Sequence, residues 1–265
     1  MIYHAKGLKL RLGDMELDYI KFGRGARTLV MVQGLNTRGI KGSAWLLAHM
    51  YRIFAKEYTV YLFDRRPNVQ EGITVQDMAL DLATAMDALG LKGADVFGVS
   101  EGGMIAQYLA MDRPDLVRKL VLAVTLSRNN DTIMQVIDSW IEMAEKKAMR
   151  ALIEDMARKM YSPAYVKKYR IFMPLLTLLQ KPKDIGRFVI LTKSCLTCDT
   201  YERLAEIKCP VFVIGAKGDQ IVTGDASLEI AEKLGCKLHM YEDLGHAAYE
   251  EAKGFNQLVY DFFCE

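Results

Sequence analysis

No stretch of this sequence is long and apolar enough to span a membrane. The cleanest apolar run, Leu120-Val121-Leu122-Ala123-Val124, has only the length of a β-strand, whereas a spanning helix needs about 20 such residues. An excess of charge of one sign is also missing: 35 Lys and Arg against 33 Asp and Glu leave a net charge of +2. That balance offers no basic field to a phosphate backbone, so nucleic acid is not an expected partner. The opening residues, Met1-Ile2-Tyr3-His4-Ala5-Lys6-Gly7, lack the apolar core of a signal peptide, and Phe263-Cys264-Glu265 lacks a prenylation pattern. The five cysteines are an odd number, which suits reduced thiols better than a disulfide framework. Together these absences predict a cytoplasmic protein without membrane partners. Internal repeats and low-complexity segments are absent too. What remains is a globular composition, 51% hydrophobic and 26% charged over 265 residues, enough to bury a core without disulfide or metal staples.

The hydrophobic pattern changes period along the chain. Leu8 to Leu12 and Met15 to Phe22 alternate apolar and polar residues around a Gly13-Asp14 turn, which predicts a hairpin. Continuous apolar runs at Thr28–Val32, Thr59–Phe63, Ala94–Val99 and Lys119–Val124 predict strands covered on both faces. Between them, Val75, Met78, Leu82, Ala85, Met86 and Leu89 recur at helical spacing and Gly90 closes the helix, while a second helix runs from Gly103 to Met111. From about Asn129 to Ile207 only helical patterns follow, among them Ile133, Ile137, Trp140 and Ala144 with Asn130 or Asp131 as the cap. Strand and helix then alternate again: Val211–Ile214, Ala226–Leu234, Lys237–Met240 and a last helix from Ala247 to Phe263. This predicts an α/β architecture, a mostly parallel eight-stranded sheet with helices on both faces. Residues 1–127 and 208–265 are expected to form its core, and 128–207 a helical cap between the sixth and seventh strands.

Gly98-Val99-Ser100-Glu101-Gly102 is the sharpest chemical signal. It is a G-x-S-x-G at the end of a buried strand and the start of a helix. A serine that acts as nucleophile must stand above the sheet on a strained turn, and small residues two before and two after leave it room. An ordinary glycine-rich turn is the bland explanation, and the strand–turn–helix context argues against it. A serine hydroxyl needs a base. Of His4, His49, His239 and His246, the last sits in a loop beyond a parallel strand, where such sheets build their sites, although a histidine packed at a helix start remains the alternative. The base needs a carboxylate. Asp219 lies in the loop after the seventh strand; Asp243 reads as a turn residue, and Thr125-Leu126-Ser127-Arg128 after the sixth strand offers no acid.

Ser100, Asp219 and His246 thus occur in the order nucleophile, acid, base, each after a separate strand. In this the chain resembles the α/β-hydrolase superfamily along nearly its whole length, and Gly98 to Gln107 is most similar to the esterase and enol-lactonase branches. The resemblance implies a cap in the helical insertion and an oxyanion hole from the backbone N–H groups of Glu101 and of Leu35 in Gln33-Gly34-Leu35-Asn36. It implies hydrolysis of a small, apolar acyl ester or lactone without metal or cofactor. Two departures stand out: Gln33-Gly34 where the family usually has His-Gly, and Asp64-Arg65-Arg66-Pro67-Asn68 where it has Asp-x-Arg-Gly-x-Gly. Alternatives are a peptidase, a cofactor-free perhydrolase or haloperoxidase, a carbon–carbon hydrolase, or a non-catalytic ligand binder.

Weaker signals have plainer explanations. Cys195-Leu196-Thr197-Cys198 lacks the partners of a redox or zinc motif, so packing is expected. Gly34, Gly39 and Gly42 with Arg38 and Lys41 suggest an anion cradle or, more simply, a flexible loop. Several of the 15 methionines fall in the insertion (Met134, Met143, Met149, Met156, Met160, Met173). With Ile171-Phe172-Met173-Pro174-Leu175-Leu176 they suggest either core packing or an adaptable wall for an acyl group.

Overall fold

A computed structural model describes residues 2–172, 175 and 180–265. Eight strands form one sheet: β1 (Lys6–Leu12), β2 (Met15–Phe22), β3 (Arg27–Val32), β4 (Tyr58–Phe63), β5 (Ala94–Val99), β6 (Val117–Ala123), β7 (Val211–Ala216) and β8 (Lys237–Tyr241). Their spatial order is β1-β2-β4-β3-β5-β6-β7-β8. Strand β2 runs antiparallel to both β1 and β4, and β4, β3, β5, β6, β7 and β8 are parallel. The continuous apolar runs have the expected cause. Every residue of β5 and β7 is buried, with Val96 facing one apolar cluster and Phe97 and Val99 the other.

The helices α1 (Ala44–Met50), α2 (Val75–Ala88) and α3 (Glu101–Asp112) precede β6. A capping box starts α2: the Asp77 amide donates to Thr74 Oγ1 and the Thr74 amide to Asp77 Oδ2. Between β6 and β7 the described residues hold only helices and one isolated bridge, Arg128 to Asp199. These helices are α4 (Asp131–Glu145), α5 (Met149–Met160), α6 (Pro163–Tyr169) and α7 (Ile185–Ser194). Asn130, not Asp131, caps α4, accepting from the Ile133 amide at 3.0 Å. Ile133, Ile137, Trp140 and Phe188 share one apolar cluster with Val30, Val96 and Leu122, so the insertion packs into the core of the sheet.

After β7 comes α8 (Gly224–Leu234). The expected single helix at the end is two, α9 (Ala248–Glu251) and α10 (Phe255–Cys264). Ala252 is extended and Gly254 takes φ 88, a left-handed conformation that only glycine adopts at little cost. The apolar pattern continues through the break, because Phe255, Val259, Phe262 and Phe263 of α10 cover the sheet face opposite the insertion. Among the described residues no helix is long and apolar enough to cross a membrane.

One polar contact ties the insertion together. Trp140 Nε1 of α4 donates to Asp155 Oδ2 of α5 at 2.9 Å, and Lys159 Nζ reaches the same oxygen at 2.5 Å. Burial alone would push the Asp155 carboxyl up, but the bonds from Lys159 and Trp140 and the nearby cations outweigh it and hold the group below its usual range. A lowered folded-state pKa contributes stability above the unfolded value of about 3.9 and loses it as pH falls through the folded value. Asp155→Ala is therefore expected to cost about 1–3 kcal/mol at neutral pH by leaving the indole N–H unpaired. The difference in melting temperature from the parent should narrow in acid; a gap unchanged by acid would show that the carboxylate charge contributes nothing.

Candidate active site

Ser100 sits between β5 and α3 with φ 54 and ψ −122, a conformation that L-residues avoid. Hydrogen bonds to its backbone hold it there. The Ser100 amide donates to the Ala123 carbonyl at 2.9 Å, and the Ser100 carbonyl accepts from Thr125 Oγ1 at 2.7 Å and from the Gly103 amide at 2.8 Å. The two glycines of the motif are required by close approach. A Cβ on Gly98 would lie 2.5 Å from the Gly102 carbonyl oxygen, and one on Gly102 would lie closer still to that of Val32. The start of α3 therefore packs directly on the end of β3, with its N-terminal amides beside the serine.

Asp219 and His246 come from the loops after β7 and β8. Backbone bonds join these loops: the Lys217 amide donates to the Tyr241 carbonyl and the Gly218 amide to the Leu244 carbonyl, at 2.9 and 3.0 Å. Asp219 Oδ1 accepts from the Ile221 and Val222 amides at 2.8 and 3.1 Å. Its Oδ2 faces His246 Nδ1 at 2.7 Å, and His246 Nε2 lies 2.9 Å from Ser100 Oγ. Asp219 and His246 are 6% and 4% exposed, so the contact between them is shielded from water, while Ser100 is half-buried. The other candidates lie elsewhere: Asp243 is exposed, His49 stacks on Trp45, and His239 packs on Tyr241.

The loop after β3 flanks the serine. A Cβ on Gly34 would be 3.1 Å from Ser100 Cβ. Neither the Leu35 nor the Glu101 amide donates to another backbone carbonyl among the described residues. The neighbouring glycine loop is no anion cradle for a ligand, because a carboxylate of the chain already occupies it: Asp64 Oδ2 accepts from the Ile40 amide at 3.0 Å, and Asn36 Oδ1 accepts from the Gly39 amide at 2.7 Å. Tyr51 hydrogen-bonds Gln33, and burial pushes its phenol well up, with the charge of Glu250 adding to the shift.

Sequence reasoning missed a buried ion pair beneath this loop. Arg65 Nη2 donates to the Gln33 carbonyl and to Glu101 Oε2, the latter at 2.5 Å. Both side chains are buried, 4% and 1% exposed. Burial pushes the Glu101 carboxyl up, and the charge of Arg65 opposes it. Arg187 of α7 donates to the Arg66 and Arg65 carbonyls and lies 3.6 Å from Asp64. The variant sequence after β4 thus concerns the site as well as the loop. The available signal was the Arg65-Arg66 doublet following a buried strand.

The insertion is clamped to the histidine loop. The Ala247 amide donates to the Met160 carbonyl at 2.7 Å, Tyr161 Oη to Glu250 Oε2 at 2.6 Å, and Ser162 Oγ to Glu251 Oε2 at 2.6 Å. Met160 is thereby held next to His246, while Met134 is exposed. Of the apolar run at 171–176, Met173, Pro174 and Leu176 lie outside the described residues; Ile171, Phe172 and Leu175 are exposed. Cys195 and Cys198 are buried free thiols bonded to the Leu191 and Leu126 carbonyls. Burial pushes the Cys195 thiol well up and that of Cys198 up to about 12, the opposite of a reactive pair. Among the described residues no cluster of three or more His, Cys, Asp or Glu is placed to hold a metal ion.

Comparison with known proteins identifies the family and the fold. A family model described as "Alpha/beta hydrolase family" matches residues 29–258. A curated relative from Pseudomonas putida, named 2-hydroxy-6-oxononadienedioate/2-hydroxy-6-oxononatrienedioate hydrolase 2, is 27% identical over 263 residues, 94% of this chain and 92% of its own. The α/β hydrolase enzyme MGS-M2 from a Medee basin deep-sea metagenome library superposes with a TM-score of 0.88 at 22% identity, covering 97% of this chain and 98% of the other. The enol-lactonase from Burkholderia xenovorans LB400 gives 0.84 at 21% identity, covering 97% and 100%. At such identities the two structures speak for the fold.

Proposed function

Because the chain belongs to the α/β-hydrolase family, we propose that it is a serine hydrolase that cleaves an ester or lactone of a small, apolar acyl group. The observation that carries this reading is the unbroken chain from Asp219 through His246 to Ser100, at 2.7 and 2.9 Å, on a strained turn. In this mechanism Ser100 Oγ attacks the substrate carbonyl carbon as its proton passes to His246 Nε2. The negative charge moves to the carbonyl oxygen, where the Leu35 and Glu101 N–H groups receive it. The tetrahedral intermediate collapses, the carbon–oxygen bond to the alcohol breaks, and His246 gives that alcohol its proton. Water then attacks the acyl-enzyme with His246 again taking a proton, and the acid leaves as Ser100 regains its hydrogen. Asp219 holds the imidazole tautomer and stabilises its transient cation. Half-buried Leu35 and Met160 support an apolar acyl group, and the helical residues within 128–207 act as the cap above it.

A fluorophosphonate probe tests the reading. It is expected to label the native protein at Ser100, located by peptide mass, and p-nitrophenyl esters of short chain length are expected to turn over fastest. Absence of labelling at Ser100 would favour a non-catalytic ligand binder.

The Pseudomonas putida relative supports a second reading. A hydroxy-oxo-dienedioate as substrate has no ester group, so hydrolysis by this chain would break a carbon–carbon bond. Loss of the dienoate absorbance faster than release of p-nitrophenol separates the two.

A further inference from the structure

We infer that Arg65 is a positioning residue that sets the spacing of the two oxyanion donors and cancels the charge of Glu101 beside them. The inference rests on the serine-hydrolase reading above, which assigns those donors to Leu35 and Glu101. A single nitrogen, Arg65 Nη2, donates both to the Gln33 carbonyl and to Glu101 Oε2. The first acceptor lies two residues before Leu35, on the loop after β3. The second belongs to the residue whose own amide is the other donor, at the start of α3. One buried guanidinium therefore fastens the two backbone segments to each other.

The guanidinium suits this role because it is planar and charged and carries two hydrogens on Nη2, one for each acceptor. Its own place is fixed from behind, where the Arg65 carbonyl accepts from Arg187 at 3.4 Å. The electrostatic part follows from burial. Glu101 is 1% exposed, and an uncompensated carboxylate there would oppose a second negative charge developing at its amide. The charged and titratable groups that face Glu101 are Arg65, Arg187, Asp64 and the Cys195 thiol. Of the cations, Arg65 is the one in hydrogen-bond contact.

Removing Arg65 has a sign that can be worked out. The Glu101 carboxyl is already pushed up by burial, with Arg65 the main opposing influence. Without Arg65 it rises further, so Glu101 is neutral at lower pH and becomes an unpaired anion as pH increases. Arg65→Met is expected to lower kcat by about 10²-fold, on the scale of losing one oxyanion donor. KM should change by less than about threefold, since the ground-state carbonyl gains little from these donors. The deficit should grow as rising pH ionises Glu101 in that variant. Adding Glu101→Gln to Arg65→Met should flatten that dependence and recover about tenfold in kcat. Arg65→Lys, which keeps the charge without the planar Nη2 donor, should show a flat profile and an intermediate deficit, and it serves if the methionine variant does not fold.

The experiment measures kcat and KM for one activated ester across pH in the parent, both Arg65 variants, Glu101→Gln and the double variant. Fluorophosphonate labelling of the parent is read alongside. A parent that is not labelled at Ser100 overturns the serine mechanism itself. A labelled parent with unaltered kinetics in both Arg65 variants overturns the positioning role alone. A deficit that Glu101→Gln leaves unchanged at every pH overturns the charge-cancelling role.

Discussion

Ser100→Ala is expected to lower kcat for an activated ester by about 10⁶-fold while the protein stays folded. The side-chain oxygen is bonded to His246 Nε2, and the turn is held by backbone and Thr125 contacts that alanine keeps. The unusual φ of 54 belongs to the backbone, and alanine tolerates it no worse than serine. Substrate affinity should therefore change little and the loss should fall on kcat. His246→Ala should cost a similar factor, and the double variant should be no worse than either, because the three groups act as one unit. A residual rate about 10³–10⁴ above the uncatalysed reaction should persist, carried by the two amide donors and by binding. Steady-state kinetics on the three variants decide the matter. A loss below about tenfold for Ser100→Ala, or factors that multiply in the double variant, would remove Ser100 from the role of nucleophile.

The parts of this molecule legible in the sequence are those in which one local rule dominates. The parallel strands stood out because they are buried on both faces, so Ala94–Val99 is apolar at nearly every position. Gly98 and Gly102 were legible because backbone approaches within 2.5 Å of a notional Cβ admit no side chain. The order Ser100, Asp219, His246 was legible because each follows a strand of one parallel sheet. What stayed hidden depends on side chains meeting from distant stretches. Arg65 and Arg66 look like a solvated doublet, yet Arg65 turns inward to a carboxylate 36 positions later. Glu101 looks like an acid placed to suit the start of a helix, and is instead sealed under the loop after β3. Glu250 and Glu251 look like a solvated pair, yet they accept from Tyr161 and Ser162 and tie the insertion to the histidine loop. The break before α10 was invisible for another reason: the apolar spacing that marks a helix is preserved across Gly254 by burial against the sheet.

Asp219→Asn is expected to lower kcat by about 10⁴-fold, and the hydrogen bonds on the carboxylate say why. Asp219 Oδ1 accepts from two amides, those of Ile221 and Val222, and these fix the rotation of the group. An asparagine must keep its carbonyl oxygen on that side, since an amide nitrogen cannot accept from N–H donors. Its NH₂ group then points at His246 Nδ1, where the aspartate had offered an oxygen at 2.7 Å. Donation from that NH₂ requires Nδ1 to be unprotonated, which places the imidazole hydrogen on Nε2. Nε2 is the atom 2.9 Å from Ser100 Oγ that must accept the serine proton. The variant therefore keeps its fold and its loop contacts but holds the base in the wrong tautomer. The rate of fluorophosphonate labelling should fall in parallel with kcat, while KM should stay within about threefold of the parent. Asp243→Asn, a change at an exposed carboxylate near the same histidine, should leave both rates unchanged. If Asp219→Asn instead labelled at close to the parent rate, the carboxylate would have no part in orienting His246, and the loop after β7 would serve only to support the fold.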